Sequence, residues 1–148
     1  MTNAAGSQRR DAVQAVRALL GAYDGHDVER MLELCRADAR VRYVPMGEQG
    51  EGWVRETGRE LWSGLIDAFP DLHVTVESAA GDERHAVAEA VLGGTQERHY
   101  LQVPNQGERY ELPHAFLVET DGEGLITEIA AYWDNASFYS QLGKATSG

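Results

Sequence analysis

Cysteine and lysine are nearly absent from this chain. Cys35 is the only cysteine, so neither an internal disulfide nor a multi-cysteine zinc site is possible. Its place in Met31-Leu32-Glu33-Leu34-Cys35 suits a small buried hydrophobe. Lys144 is the only lysine, which leaves Schiff-base chemistry essentially no candidate. No apolar run reaches about 18 residues, so a membrane span is not expected. The stretch from Met1 to Arg10 is polar and lacks a hydrophobic signal region, which makes cytoplasmic residence the expectation. Positive charge is also scarce. A net charge of -11 argues against nucleic acid or an anionic membrane as partner and leaves a weakly polar small molecule as the easier ligand. The five histidines, His26, His73, His85, His99 and His114, are scattered and no His-Glu-x-x-His helix occurs, so no metal site is expected. A phosphate-cradling glycine loop and a Gly-x-Ser-x-Gly elbow are both missing, which argues against nucleotide binding and serine hydrolysis.

What is present fits one domain. A chain of 148 residues with 43% hydrophobic content can bury a core and still enclose a ligand cavity. A single domain over 1–148 is expected, with flexible tails at 1–7 and 144–148. Its organising stretch runs from Glu111 to Asp134, two apolar runs around Thr120-Asp121-Gly122-Glu123-Gly124, which reads as an antiparallel hairpin. Alternation places Tyr110, Leu112, His114, Phe116 and Val118 on one face, so an imidazole sits among apolar groups. On the partner strand Ile129, Ala131 and Trp133 share a face. If His114 and Trp133 face one cavity, Leu112, Phe116 and Trp133 are candidates for its wall.

Periodicity organises the rest. Apolar residues from Gln8 to Tyr23 recur at steps of three and four, predicting an amphipathic helix with Ser7 as cap. Asp27 can cap a second short helix. Ala39, Val41 and Tyr43 alternate with arginines, predicting a strand with Tyr43 inward. Pro45 to Gly52 reads as a loop over a pocket mouth, and Thr57 with Glu60 as a capping box for a helix carrying Leu61, Trp62, Leu65, Ile66 and Phe69. Strands follow over 72–77 and 86–95, with loops at 80–82 and 102–107. Helices, strand, helix and then four strands make an α+β pattern with a curved, mostly antiparallel sheet, the helices enclosing a cone-shaped cavity against it.

Several side chains in this layout carry chemistry. Glu89 lies within Ala86-Val87-Ala88-Glu89-Ala90-Val91-Leu92, where a carboxylate is either on the wet face of a half-exposed strand or turned into the pocket. Asp24 ends a helix, as a turn residue or an acid at the cavity. Tyr43 serves as core or as hydrogen-bond donor, and Trp62 and Trp133 as core or as walls suited to a flat aromatic ligand. His114 is either a satisfied buried histidine or an acid/base group.

Gly58-Arg59-Glu60-Leu61-Trp62, Ala68-Phe69-Pro70-Asp71-Leu72, Gly94-Thr95, the Asp121-Gly122 turn and Gln141-Leu142-Gly143 together resemble the SnoaL-like polyketide cyclase family, within the nuclear transport factor 2-like superfamily. The resemblance implies a conical α+β barrel, work without cofactors, a homodimer, and a histidine with an acid on late strands. His114 matches the first; Glu128 and Asp134 are candidates for the second, although alternation turns both from the Trp133 face unless a bulge intervenes. Similarity to ketosteroid isomerases puts His114 at their oxyanion-stabilising position, Tyr43 near their base, and Leu20 near their tyrosine. Tyr23-Asp24 followed by Tyr43 is similar to scytalone dehydratases. The function implied is acid/base cyclisation, isomerisation or dehydration of a hydrophobic, enolisable ketone. Glu89 or Asp24 would be the base, and His114 with Tyr43 would hold the enolate. A non-catalytic binding or dimerisation module is the alternative; epoxide hydrolysis ranks lower, because Glu89 stands where an arginine would be needed.

Overall fold

The computed structural model describes residues 10–100 and 103–143; the expected tails and the Ser7 cap lie outside the described residues. Helix α1 (Ala12–Asp24) starts later than its apolar period predicts, because Asp11 caps it. The Asp11 carboxylate accepts the Gln14 N–H at 2.7 Å, and the Gln14 side chain accepts the Asp11 N–H at 3.0 Å. This reciprocal pair satisfies two of the amides that a helix start leaves open, a gain of about 1 kcal/mol. Asp27 caps α2 (Val28–Glu33) as expected, accepting from the Arg30 amide at 3.0 Å. Cys35 is buried and opens β1 (Cys35–Tyr43), in which Ala39, Val41 and Tyr43 point inward.

The segment expected as a loop over the pocket mouth carries short helical turns, broken at Gly47 with φ 63°. A 3-10 turn (Val44–Gly50) leads into the short β2 (Glu51–Trp53) and a π turn (Val54–Gly58), from which α3 (Arg59–Ala68) continues. The Thr57–Glu60 capping box does not form: the chain reaches Gly58 already helical, and no side chain caps α3. Thr57 packs against Gly52, where a β-carbon would collide with its hydroxyl.

Four strands follow, β3 (His73–Gly81), β4 (His85–Thr95), β5 (Arg109–Thr120) and β6 (Ile126–Trp133), and then α4 (Asn135–Gln141). The sheet order is β2-β1-β6-β5-β4-β3, with β1 parallel to β6 and every other pair antiparallel. The curved sheet wraps around the helices without closing, since β2 and β3 remain as separate edges. Helix α1 crosses β3, β4 and β5, and its Ala12, Val16, Leu19, Leu20 and Tyr23 are fully buried.

Two of the sequence motifs lock to each other. Asp71 Oδ1, just after α3, accepts the Thr95 N–H at 2.6 Å. That bond holds the Asp71 carboxyl below the usual carboxylate range. Gly94 makes the approach possible: a β-carbon there would lie 3.1 Å from both Phe69 Cβ and Asp71 Oδ1. Phe69 is thereby seated edge-on against Tyr110, ring centres 5.0 Å apart, at one end of the interior.

Candidate functional site

The central hairpin pairs His114 directly opposite Trp133 and Phe116 opposite Ala131, while β1 places Tyr43 opposite Ala131 on the other side of β6. Strand alternation therefore turns His114, Phe116, Trp133 and Tyr43 toward one space. All four line a cavity that Tyr23, Met46, Leu61, Leu65, Leu92, Tyr100, Tyr110, Asn135, Phe138 and Tyr139 complete. Measured for the centre of a water molecule, the free space is about 40 Å³, room for a few waters. Among the described residues no carboxylate, lysine or arginine lines it.

The imidazole of His114 is held between two rings. Phe116 lies 5.7 Å away at 10° and Trp133 5.2 Å away at 24°, both stacked. Burial disfavours the imidazolium and lowers the His114 pKa from 6.5 to about 4, against a smaller upward pull from the Leu112 and Pro113 backbone. At neutral pH the ring is therefore uncharged. His114 Nδ1 lies 3.1 Å from the Leu112 carbonyl oxygen. A carbonyl only accepts, so Nδ1 carries the proton and Nε2 keeps its lone pair.

Tyr43 is the second polar group. Its oxygen accepts the Trp62 Nε1–H at 2.6 Å, and its ring stands edge-on to Trp133 at 5.6 Å and 82°. Burial raises the pKa of Tyr43 and of Tyr23, so both remain neutral phenols. Asn135 is the third. Its Oδ1 accepts the Trp133 Nε1–H at 3.1 Å, which leaves the amide NH2 as the group it can offer elsewhere.

Several expected site residues lie elsewhere. Glu89 is on the exposed face of β4 and accepts the Ser78 hydroxyl at 3.0 Å; Ala86, Ala88, Ala90 and Leu92 are the residues facing inward. The expectation that Glu89 enters the pocket is therefore reversed. Asp24 is exposed, and its Oδ1 accepts the Val74 N–H at 2.8 Å, so its work is to fasten α1 to β3. Asp134 is exposed and caps α4, accepting from the Ser137 amide and hydroxyl at 3.1 Å each; those bonds lower its pKa. Glu128 is exposed too, on the far face of the sheet. Leu20 and Leu112 belong to the packed core rather than to the cavity wall, and Trp62 lies behind Tyr43. Tyr110 and Asn135 were not among the expected site residues, and Tyr23 entered only through the resemblance to scytalone dehydratases. Tyr110 shares the His114 face by simple alternation, and Tyr23 follows from the apolar stripe of α1; nothing in the sequence marks Asn135.

Among the described residues no His, Cys, Asp and Glu cluster is arranged to hold a metal ion, and no helix is long and apolar enough to cross a membrane. No curated protein matches the chain. Solved structures do. A proposed SnoaL-like polyketide cyclase from Jannaschia sp. CCS1 has a TM-score of 0.78 at 22% identity, over 91% of this chain and 93% of that one. IdmH, a proposed polyketide cyclase from Streptomyces antibioticus, has a TM-score of 0.73 at 24% identity, over 87% and 96%. A protein of ketosteroid isomerase-like fold from Catenulispora acidiphila, solved in complex with trimethylamine, has a TM-score of 0.73 at 25% identity, over 89% and 94%. These likenesses place the fold in the nuclear transport factor 2-like group. The sequence profile of the SnoaL-like domain spans residues 16–129, from the middle of α1 into β6, and the chain belongs to that family.

Proposed function

We propose that the protein is a cofactor-independent acid/base enzyme that enolises a neutral, hydrophobic, polyketide-like ketone, with cyclisation, isomerisation or dehydration following from the enolate. The observation that carries this reading is the Nδ1–Leu112 bond of His114 inside a cavity shared with Tyr43. It leaves Nε2 as an unprotonated base on a residue that shares its cavity with groups able to hold a developing oxyanion. The roles thus differ from those the sequence suggests: His114 removes the proton, and the Tyr43 hydroxyl with the Asn135 amide stabilises the enolate oxygen. A base of pKa about 4 suits an acidic C–H, one flanked by two carbonyls. The absence of charged lining groups among the described residues matches a neutral substrate, and the aromatic walls match a flat one.

Admission of such a ketone requires the space to enlarge. The wall outside the sheet includes Met46 of the 3-10 turn and Asn135, Phe138 and Tyr139 of α4, the parts free to shift without breaking strand pairing. The test is deuterium incorporation from heavy water into a panel of enolisable ketones, with His114→Ala and Tyr43→Phe as controls. Exchange that falls by orders of magnitude in both variants supports the reading; equal exchange in all three proteins refutes it. A second reading, a non-catalytic small-ligand carrier, is favoured by the small cavity and by the lack of a carboxylate in its lining among the described residues. Tight binding with no exchange by the native protein would select it.

A further inference from the structure

We infer that Trp62 is a positioning residue that aims and strengthens the Tyr43 hydroxyl as an oxyanion donor. The inference rests on the reading of Tyr43 given above, and it follows from what each group can donate. An indole N–H has no lone pair to offer, so the 2.6 Å contact from Trp62 Nε1 occupies an acceptor site on the Tyr43 oxygen. The phenol proton must then point away from Trp62. Tyr43 lines the cavity and Trp62 does not, so the cavity is the side left to it.

The neighbouring phenol narrows the choice further. The Tyr23 and Tyr43 hydroxyls interact, and both residues line the cavity. Trp62 can only donate to this pair, so a bond between the two phenols uses one of their two protons and leaves the other for a ligand. Donors in series polarise one another, and the effect is larger where water is excluded. Both Trp62 and Tyr23 are 1% exposed.

Trp62 is itself held in place. It sits on α3 with its ring inclined at 56° to Tyr23, centres 6.4 Å apart. Gly58 clears the space beside it: a β-carbon there would already lie 3.4 Å from the indole. A donor fixed by packing aims Tyr43 better than a rotatable hydroxyl would. The sequence marks Trp62 as a possible cavity wall, whereas the structure gives it a role through another side chain.

Substituted phenols of graded acidity serve as probes, because their ionised form imitates an enolate. Binding is followed by absorbance, which reports the ionised fraction, for the native protein, Tyr43→Phe, Trp62→Phe and a protein in which the Trp62 indole is replaced by its sulfur isostere benzothiophene. The isostere keeps the shape and loses the donor, so the test survives if Trp62→Phe folds poorly. Native affinity is expected to rise as the phenol becomes more acidic. Tyr43→Phe is expected to abolish the trend, and loss of the Trp62 donor to flatten it, costing about tenfold for the most acidic phenol. A native slope retained without the Trp62 donor, but lost in Tyr43→Phe, overturns the role of Trp62 alone. Failure of the native protein to bind any phenol as its anion, or a native slope in Tyr43→Phe, overturns the reading of Tyr43 and the role of Trp62 with it.

Discussion

Acidification asks His114 to take up a proton between two aromatic rings. In the unfolded chain the imidazole titrates near 6.5, and in the folded protein near 4, because burial penalises the charged form. The sign follows directly. As the pH falls below 6.5 the unfolded chain gains a proton that the folded one refuses, so stability that is complete above 6.5 is lost progressively until about 4. The interval is worth about 3 kcal/mol at roughly 1.4 kcal/mol per pH unit, a large part of the stability of a domain this size. Carboxylates also titrate on the way down, so the His114 contribution is isolated by comparison with His114→Gln, which has no charge to gain. Urea unfolding of both proteins at steps between about pH 7.5 and pH 4 is expected to show the native protein losing about 3 kcal/mol more than the variant. A difference that stays flat across the range, or a ring-proton NMR titration of His114 centred near 6.5, would refute the half-buried neutral imidazole and with it the assignment of Nε2 as base.

The relocated carboxylates make two further predictions. Glu89→Gln is expected to leave ketone exchange at the native level, since its side chain meets Ser78 on the outer face; a fall of orders of magnitude in the same assay would return Glu89 to the site. Asp24→Ala is expected to strip the Val74 amide of its partner and cost about 1 to 3 kcal/mol in urea unfolding while exchange per folded molecule is unchanged. A stable but inactive Asp24→Ala protein would contradict that division.

How much was legible depends on what each face of the chain had to bury. The β5–β6 hairpin was readable because two apolar runs flank an Asp-Gly turn and the bulky Tyr110, Leu112, Phe116 and Val118 share one parity, and the structure pairs His114 with Trp133 on that face. On β4 the same logic loses its phase. Its inner face is made of Ala86, Ala88 and Ala90, while Val87 is 41% exposed on the outer face, so apolar residues occupy both sides and parity no longer identifies the interior. Small alanines are needed because α1 lies close across this strand, a fact of packing that composition does not carry. The starts of α1 and α3 differ from expectation for a local reason: a cap is a competition among nearby side chains, won by Asp11 at α1 and by no side chain at α3, while Asp27 caps α2 as expected. The role of His114 was out of reach without coordinates, because the tautomer is set by a backbone carbonyl two residues away.

The bonds that fasten the α1–α2 turn to β3 matter beyond the molecule itself. Strand β3 is an outer strand, and one side of its backbone has no strand beside it. Asp24 occupies the Val74 N–H there, and His26 Nε2 donates to the Leu72 carbonyl at 2.7 Å, from a backbone held at φ 58°. These are among the groups that an extended segment of another chain would use to add itself at this end of the sheet edge. The opposite border, β2, is only three residues long and gives such a segment little to grip. The sheet thus has the α1 end of its β3 border blocked by side chains, and loosening the turn at Asp24 and His26 is expected to free that end for pairing with another chain.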